Sequence, residues 1–144
     1  MKLVLICISI FFSSFFYQQK PAPDEELVRV DKAFSEMSRQ KGMKAAFLAY
    51  IDDRGVLLRK NSYPVIGQQA KDLVKKMNDS SFSLTWEPSF AAVAQSGELG
   101  YTYGIYTSKL KDTAAQGTYV TIWKKQKDGS WKFVLDTGNE GLGQ

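Results

Sequence analysis

The chain has 144 residues, of which 44% are hydrophobic and 24% are charged, and this is enough to bury the core of one globular domain. Its formal net charge is only +4, and the basic residues are scattered among the acids, so no nucleic-acid surface is expected. The absence of histidine and the single cysteine exclude serine–histidine catalysis, cysteine–histidine catalysis and a zinc site. We expect no metal and no other cofactor.

Residues 1–19 have the pattern of a secretory signal peptide. Lys2 supplies a positive start, and residues 3–16 form an apolar run that is broken only by serines. This run is shorter than the about 20 apolar residues of a membrane span. An uncleaved anchor is the alternative, because residues 13–17 are not a clean small-x-small cleavage site. We expect cleavage and export to the periplasm or the medium, without stable membrane insertion, and the mature protein would then lack Cys7.

Apolar residues recur at helical spacing in three segments of the first half. The first runs from Asp24, the expected N-cap, to Gln40. The second covers residues 43–50, and the third begins at Gly67 with an apolar stripe that reaches Met77. The other predicted segments are a stiff linker at 20–24, a turn at 52–55, a short strand at 56–58 and a loop at 61–64.

The second half has the alternating pattern of strands. Residues 82–94, interrupted by a bulge or edge at Pro88, and residues 100–110 predict two long strands, and a polar loop is predicted at 111–116. Residues 117–138 predict a hairpin, because two apolar strands flank an Asp-Gly turn. Helices followed by strands predict an α+β domain, with the helices packed on one face of a curved antiparallel sheet.

Several segments carry a resemblance to a known superfamily. They are residues 44–50 (KAAFLAY), Gly67, 84–88 (LTWEP), 97–104 (GELGYTYG), 117–123 (GTYVTIW) and 131–138 (WKFVLDTG). In this order they resemble the cystatin-like cone of the nuclear-transport-factor-like superfamily, which includes ketosteroid isomerases and SnoaL-like cyclases. Within it, the chain looks most like a family of unassigned function that is often secreted in bacteria. The resemblance implies one such domain at residues 25–140, and it implies no particular reaction, since one fold hosts many functions.

The resemblance also tests the isomerase chemistry. It puts Phe34 at the position of the isomerase tyrosine that donates to the oxyanion, and Leu58 at the position of the carboxylate base. Phenylalanine cannot donate this hydrogen bond, and leucine cannot accept a proton. We therefore expect no ketosteroid isomerase activity.

Asp136 is the candidate catalytic or ligand-binding residue, because a carboxylate late in an apolar strand is costly to bury without a partner. It either faces the interior of the cone or bonds the turn at residues 137–138. Alternation does not say which faces of the strands meet the helices. The candidate ligand pocket combines Asp136 with the aromatic residues Phe47, Tyr50, Trp86, Tyr101, Tyr103, Tyr119 and Trp123.

Two functions remain open. The first is a secreted binding domain that holds a small apolar or amphipathic ligand in its cone. The second is an enzyme of proton-transfer or hydrolytic type that uses Asp136 with a pocket tyrosine. The first is preferred, because the chain lacks histidine and metal motifs. A homodimer is expected, since large residues such as Ile122 and Trp123 occupy both faces of a strand and the uncovered face would be an apolar patch.

Overall fold

The computed structural model describes residues 22–143, so the predicted signal peptide and the first residues of the predicted linker lie outside the described residues. The helices are α1 (Pro23–Lys41), α2 (Met43–Tyr50) and α3 (Gln68–Lys76). The strands are β1 (Ile51–Leu58), β2 (Val65–Ile66), β3 (Phe82–Val93), β4 (Leu99–Leu110), β5 (Thr113–Lys125) and β6 (Trp131–Glu140). No helix within residues 22–143 is both long and apolar enough to cross a membrane.

The strands form one 6-stranded sheet in the order β2-β1-β6-β5-β4-β3, with the helices packed against it. The predicted α+β class is therefore confirmed, and so is the hairpin, which pairs β5 with β6. The sheet was predicted to be antiparallel, and four of the five strand pairs within residues 22–143 are antiparallel. Strand β1 leaves α2 in the same direction as β6, so these two strands, distant in sequence, pair in parallel and make the sheet mixed.

The helices lie close to their predicted positions, but three local predictions are wrong. Helix α1 begins at Pro23, a residue that suits the first helical turn, so Asp24 is not the N-cap. The predicted turn at 52–55 belongs to β1. These polar residues lie where the register of β1 with β6 shifts, between Ile51 and Val56. The predicted loop at 111–116 is mostly β5, because residues 113–116 pair with the end of β4 across a tight turn.

Strand β3 bends at Pro88, where its register with β4 shifts, and this confirms the predicted bulge. On β4, Gly104 faces the bend, and a Cβ atom at this position would lie 2.1 Å from the carbonyl oxygen of Glu87. A residue with a side chain would therefore force the two strands apart. The bend curves the sheet around the helices and gives the fold its cone shape.

Helix α1 covers β3, which is an edge strand with open backbone groups. The hydroxyl of Ser38 donates to the carbonyl of Leu84 at 2.6 Å, and the hydroxyl of Ser35 accepts from the backbone N–H of Trp86 at 2.8 Å. Polar residues therefore lie on the buried side of α1, where they satisfy the edge of the sheet. This side forms one wall of the cone.

The core under the cone is aromatic. Phe34 of α1 is 1% exposed, and five ring centroids lie 4.5 to 5.9 Å from its own. Those rings belong to Phe47, Tyr50, Trp86, Trp123 and Phe133. This cluster holds α1 and α2 to the sheet and fixes the base on which the candidate site is built.

Candidate functional site

The main cavity is an open cleft of about 910 Å³ between α2, the end of β1 and the inward faces of β3 to β6. Pockets for small molecules commonly have volumes of about 300–1,000 Å³, so the cleft is large enough for one. It is lined by Phe47, Leu58, Arg59, Lys60, Phe82, Leu84, Trp86, Tyr106, Ser108, Tyr119, Thr121, Asp136 and residues 137–140. Seven of these residues are aromatic or aliphatic and eight are polar or charged, but the greater part of the exposed wall area is apolar.

Asp136 lies in this cleft, and only 8% of its surface is exposed. The guanidinium of Arg59 donates from Nη2 to Oδ1 of Asp136 at 2.7 Å and from Nη1 to its backbone oxygen at 3.0 Å. The hydroxyl of Thr121 donates to Oδ2 at 3.0 Å. Strand β6 continues to Glu140, so Asp136 faces the interior and does not cap a turn.

Strand pairing explains why these groups meet. Leu57 of β1 pairs with Asp136 of the parallel strand β6, and Arg59 follows directly after the end of β1. On the other side, Thr121 of β5 pairs with Asp136 and Thr102 of β4 pairs with Thr121. Thr102, Thr121 and Asp136 therefore form one row across the inner face of β4, β5 and β6. At the end of this row, the Asp136 carboxylate accepts hydrogen bonds from Arg59 and from the hydroxyl of Thr121.

Asp31 is a second buried carboxylate, and it lies behind the wall of the cleft. It is 0% exposed and accepts hydrogen bonds from Nε1 of Trp86 at 2.7 Å and from the hydroxyl of Tyr119 at 2.6 Å. Burial raises the pKa of Asp31, against the opposing effect of its hydrogen bonds to Tyr119, Trp86 and Thr102. One carboxylate of α1 therefore fixes the orientation of two side chains that line the cleft.

The hydroxyl of Tyr119 is committed to this network. Burial, and then the charge of Asp31 and the hydrogen bond to it, raise the pKa of Tyr119 above its ordinary value. Within residues 22–143, no hydrogen bond joins Asp136 to a tyrosine. The expected pair of Asp136 with a tyrosine hydroxyl is therefore not formed among the described residues, and the hydroxyl of Tyr119 is bonded to Asp31 instead.

The mouth of the cleft carries a second ion pair. Lys60 and Glu140 are both largely exposed, and Nζ of Lys60 lies 2.8 Å from Oε2 of Glu140. No group of three or more residues able to hold a metal ion occurs in the part of the chain that the structure describes. The charged side chains of the lining thus form two matched pairs.

The predicted pocket residues divide into three groups. Phe47, Trp86, Tyr119 and Asp136 line the cleft. Tyr50 and Trp123 do not line it: their rings pack on Phe34 in the core, and the indole N–H of Trp123 donates to Thr102 at 2.9 Å.

The placement of Tyr101 and Tyr103 in the pocket is wrong. They are 42% and 44% exposed and lie on the outer face of the sheet. They alternate along β4 with Gly100, Thr102 and Gly104, which lie on the inner face, under the helices. A Cβ atom at Gly100 would lie 2.7 Å from a side-chain atom of Leu27 in α1, so this face of β4 is the one that meets the helix.

Sequence reasoning missed two residues of the site. Arg59 follows a short strand and shows no periodic signal, since its partner lies 77 residues away. Asp31 lies on the side of α1 that meets the sheet, between Leu27 and Phe34, and is one turn of helix from each of them. A charged residue inside an apolar helical stripe is the signal that could have identified it.

Comparisons with known proteins agree on the fold. No protein-family model and no curated protein matches the sequence. A cystatin-like domain of unknown function from Nostoc punctiforme has a TM-score of 0.69 at 14% identity, over 86% of this chain and 81% of that one. A ketosteroid isomerase-like protein from Erwinia carotovora atroseptica has a TM-score of 0.64 at 14% identity, over 80% and 94%.

An NTF-2-like protein of unknown function from Shewanella oneidensis has a TM-score of 0.61 at 16% identity, and the match covers 79% of this chain and 96% of that chain. These likenesses span nearly the whole length of the solved structures. Their low identities establish the fold and leave the reaction open. The chain thus has the ketosteroid isomerase-like, or NTF2-like, fold that the resemblance of its segments implied.

Proposed function

We propose that this protein, with its NTF2-like fold, is an exported domain that binds one small apolar or amphipathic molecule in its cleft. The cleft of about 910 Å³, with aromatic side chains in its wall and the partly buried ion pair of Arg59 and Asp136, is the observation that carries the proposal. Binding sites for small molecules are mostly apolar concavities with a few placed polar groups, and this description fits the cleft.

Binding is favoured over catalysis by the state of each candidate chemical group. Phe34 lies in the core, and Leu58 at the cleft is aliphatic, so neither supplies a donor or a base. Asp136 is held by Arg59 and Thr121. Both oxygens of this carboxylate accept hydrogen bonds from the protein, so Asp136 is engaged in an ion pair within the fold.

Titration with N-phenylnaphthylamine, a neutral apolar dye that fluoresces when shielded from water, tests the binding proposal. Ser108 lines the cleft opposite Leu84, so Ser108→Trp should fill the cleft with an indole and weaken dye binding by at least about tenfold. The matched control is Ser83→Trp, which adds the same side chain at an exposed position of the same strand pair.

The wild type and the Ser83→Trp variant should bind the dye saturably with the same affinity. Absence of saturable binding to the wild type would contradict the proposal. Equal affinities of the wild type and the Ser108→Trp variant would also contradict it, because the dye would then sit on the outer face of the sheet.

Export rests on the sequence of residues 1–19 alone. Cleavage should leave a mature chain that begins between about residues 16 and 22, as the pattern of signal peptides requires. N-terminal sequencing of the protein from its native host tests this, and an intact Met1 in the soluble cytosol would contradict it.

We further propose that two copies associate through the outer face of the sheet. This face is defined by Phe90 of β3, Tyr101, Tyr103 and Ile105 of β4, and Val120 of β5, which are 38% to 45% exposed. Their pairing makes one continuous patch, in which the rings of Phe90 and Tyr103 stack at 5.6 Å. A monomer seldom exposes such a large patch, and a face of this kind matches itself across a twofold axis.

Tyr103→Lys should disrupt this dimer, because it places a charge in the middle of the outer face. The loss of a central aromatic contact should raise the dissociation constant at least about thirtyfold, the equivalent of about 2 kcal/mol. Sedimentation velocity at micromolar concentration is the measurement. Gln68→Lys, on the exposed side of α3, adds the same charge elsewhere and should remain dimeric. A monomeric wild type would contradict the proposal.

A further inference from the structure

The guanidinium of Arg59 has more donors than its protein partners use. It has five N–H groups. Two on Nη1 donate to the backbone oxygens of Leu58 at 2.9 Å and Asp136 at 3.0 Å, and one on Nη2 donates to the Asp136 carboxylate at 2.7 Å. The Nε–H and the second Nη2–H have no partner among residues 22–143. Arg59 lines the cleft and its side chain is 31% exposed, so part of this side chain is accessible to a ligand.

Arg59 is held in place before any ligand arrives. Two of its bonds go to backbone oxygens of the adjoining strands β1 and β6, and its guanidinium carbon lies 5.9 Å from the ring centroid of Phe47. A planar group that is fixed on three sides loses little conformational entropy when it binds an acceptor. It is therefore a preorganised donor at the base of the cleft.

The charges of the cleft disfavour an ionic ligand. A ligand carboxylate that reached Arg59 would lie within a few ångströms of the Asp136 carboxylate and would be repelled by it. A ligand cation that reached Asp136 would lie close to the positive charge of Arg59 and would be repelled by it. A neutral group with an acceptor oxygen needs only the two unused N–H groups and leaves the ion pair intact.

The remainder of the cleft fits an apolar body. Phe47, Phe82, Leu84 and Trp86 form a continuous wall beside the ion pair, and the rings of Phe47 and Trp86 meet edge to face at 6.2 Å. Such a wall gains free energy when it removes hydrocarbon from water. This wall would take up the apolar part of a ligand, while Arg59 beside it supplies hydrogen-bond donors.

On these grounds, and resting on the proposed binding function, we infer that the ligand is a neutral amphipathic molecule whose carbonyl or hydroxyl oxygen accepts hydrogen bonds from Arg59. The guanidinium offers unused donors, and the charges of the cleft are already paired. Both features favour an uncharged acceptor over a fatty acid or an amine with a hydrocarbon chain of equal length.

Three probes with ten-carbon skeletons test the charge preference: methyl octyl ketone, decanoate and decylammonium. Each competes with bound N-phenylnaphthylamine near pH 8, where the acid and the amine are both ionised. The ketone should displace the dye at a concentration at least about tenfold lower than either ion does. Equal or stronger displacement by decanoate or decylammonium would overturn the inference. A dye that binds in the cleft and is displaced by none of the probes would overturn it as well, while the binding function would stand. A dye that does not bind would overturn both.

Arg59→Lys tests the role of the guanidinium. Lysine keeps the charge opposite Asp136 but loses the planar array of donors, so the affinity for the ketone should fall about five- to tenfold and the preference over decanoate should narrow. Arg54→Lys, at an exposed position of β1, is the matched control and should keep the wild-type affinity. An unchanged affinity for the ketone in a folded Arg59→Lys variant would overturn the inference. Should that variant fail to fold, the comparison of probes on the wild type decides the question.

Discussion

Phe34→Ala should lower the free energy of unfolding by about 4 kcal/mol. Phe34 is 1% exposed and its ring packs against five aromatic neighbours, so its removal leaves a cavity that rigid rings cannot fill. Edge-to-face contacts, such as that with Trp86 at 4.5 Å, are lost in addition to the burial of apolar surface.

Chemical denaturation, followed by tryptophan fluorescence, measures this loss. Val30→Ala, on the same helix at a half-buried position, is the control and should cost about 1 kcal/mol. Comparison of the two losses separates the contribution of ring packing at Phe34 from the effect that any substitution by alanine has on α1. A loss below about 2 kcal/mol for Phe34→Ala would show that the aromatic cluster collapses onto the site and that the base of the cleft is not rigid.

The elements that were predictable are those whose signals are local. The hairpin of β5 and β6 was predictable because an Asp-Gly turn and its flanking apolar residues lie within one short stretch. The helices were predictable from their periodicity. The segments at 52–55 and 111–116 were not, because their polar composition indicates a turn or loop. Residues 52–55 are the irregular part of β1, whose partner β6 is distant in sequence, whereas residues 113–116 pair with the end of β4 across a turn.

The parallel pairing of β1 and β6 also explains what was missed at the site. Asp136 was identified because its own strand made a carboxylate unexpected there. Arg59 could be identified only from the pairing of β1 with β6, and the local sequence around either strand does not show that they are neighbours. The assignment of Tyr101 and Tyr103 required the knowledge of which face of β4 meets α1. This depends on the glycines opposite the helix, which alternation alone does not reveal.

Asp31→Asn should lower the free energy of unfolding by about 2 kcal/mol at neutral pH. The carboxylate accepts hydrogen bonds from both Trp86 and Tyr119, whereas the N–H₂ of an amide would place a donor against one of these two donors. It should also weaken ligand binding, since these two side chains line the cleft and would lose their common anchor. Circular dichroism and urea denaturation measure the first effect, and titration with the dye measures the second.

The dependence of this loss on pH is the sharper test of the buried carboxylate. Burial raises the folded-state pKa of Asp31 above the 3.8 of an unperturbed aspartate, so between these two values the folded state binds more protons than the unfolded state. The contribution of Asp31 to stability therefore grows as the pH falls through the raised pKa, whereas asparagine does not titrate. The difference in stability between the wild type and Asp31→Asn should widen toward acid pH.

Asp53→Asn provides a control of opposite sign. The hydrogen bond and charge of Lys71 hold the pKa of Asp53 below 3.8, so its contribution to stability is present at neutral pH and is lost as the pH falls through the lowered pKa. The difference between the wild type and Asp53→Asn should accordingly narrow toward acid pH. If the difference in stability between the wild type and Asp31→Asn also narrowed toward acid pH, the hydrogen bonds from Tyr119, Trp86 and Thr102 would lower the pKa of Asp31 by more than burial raises it. Asp31 would then be a carboxylate whose ionised form the fold favours, and the wall of the cleft would loosen in acid.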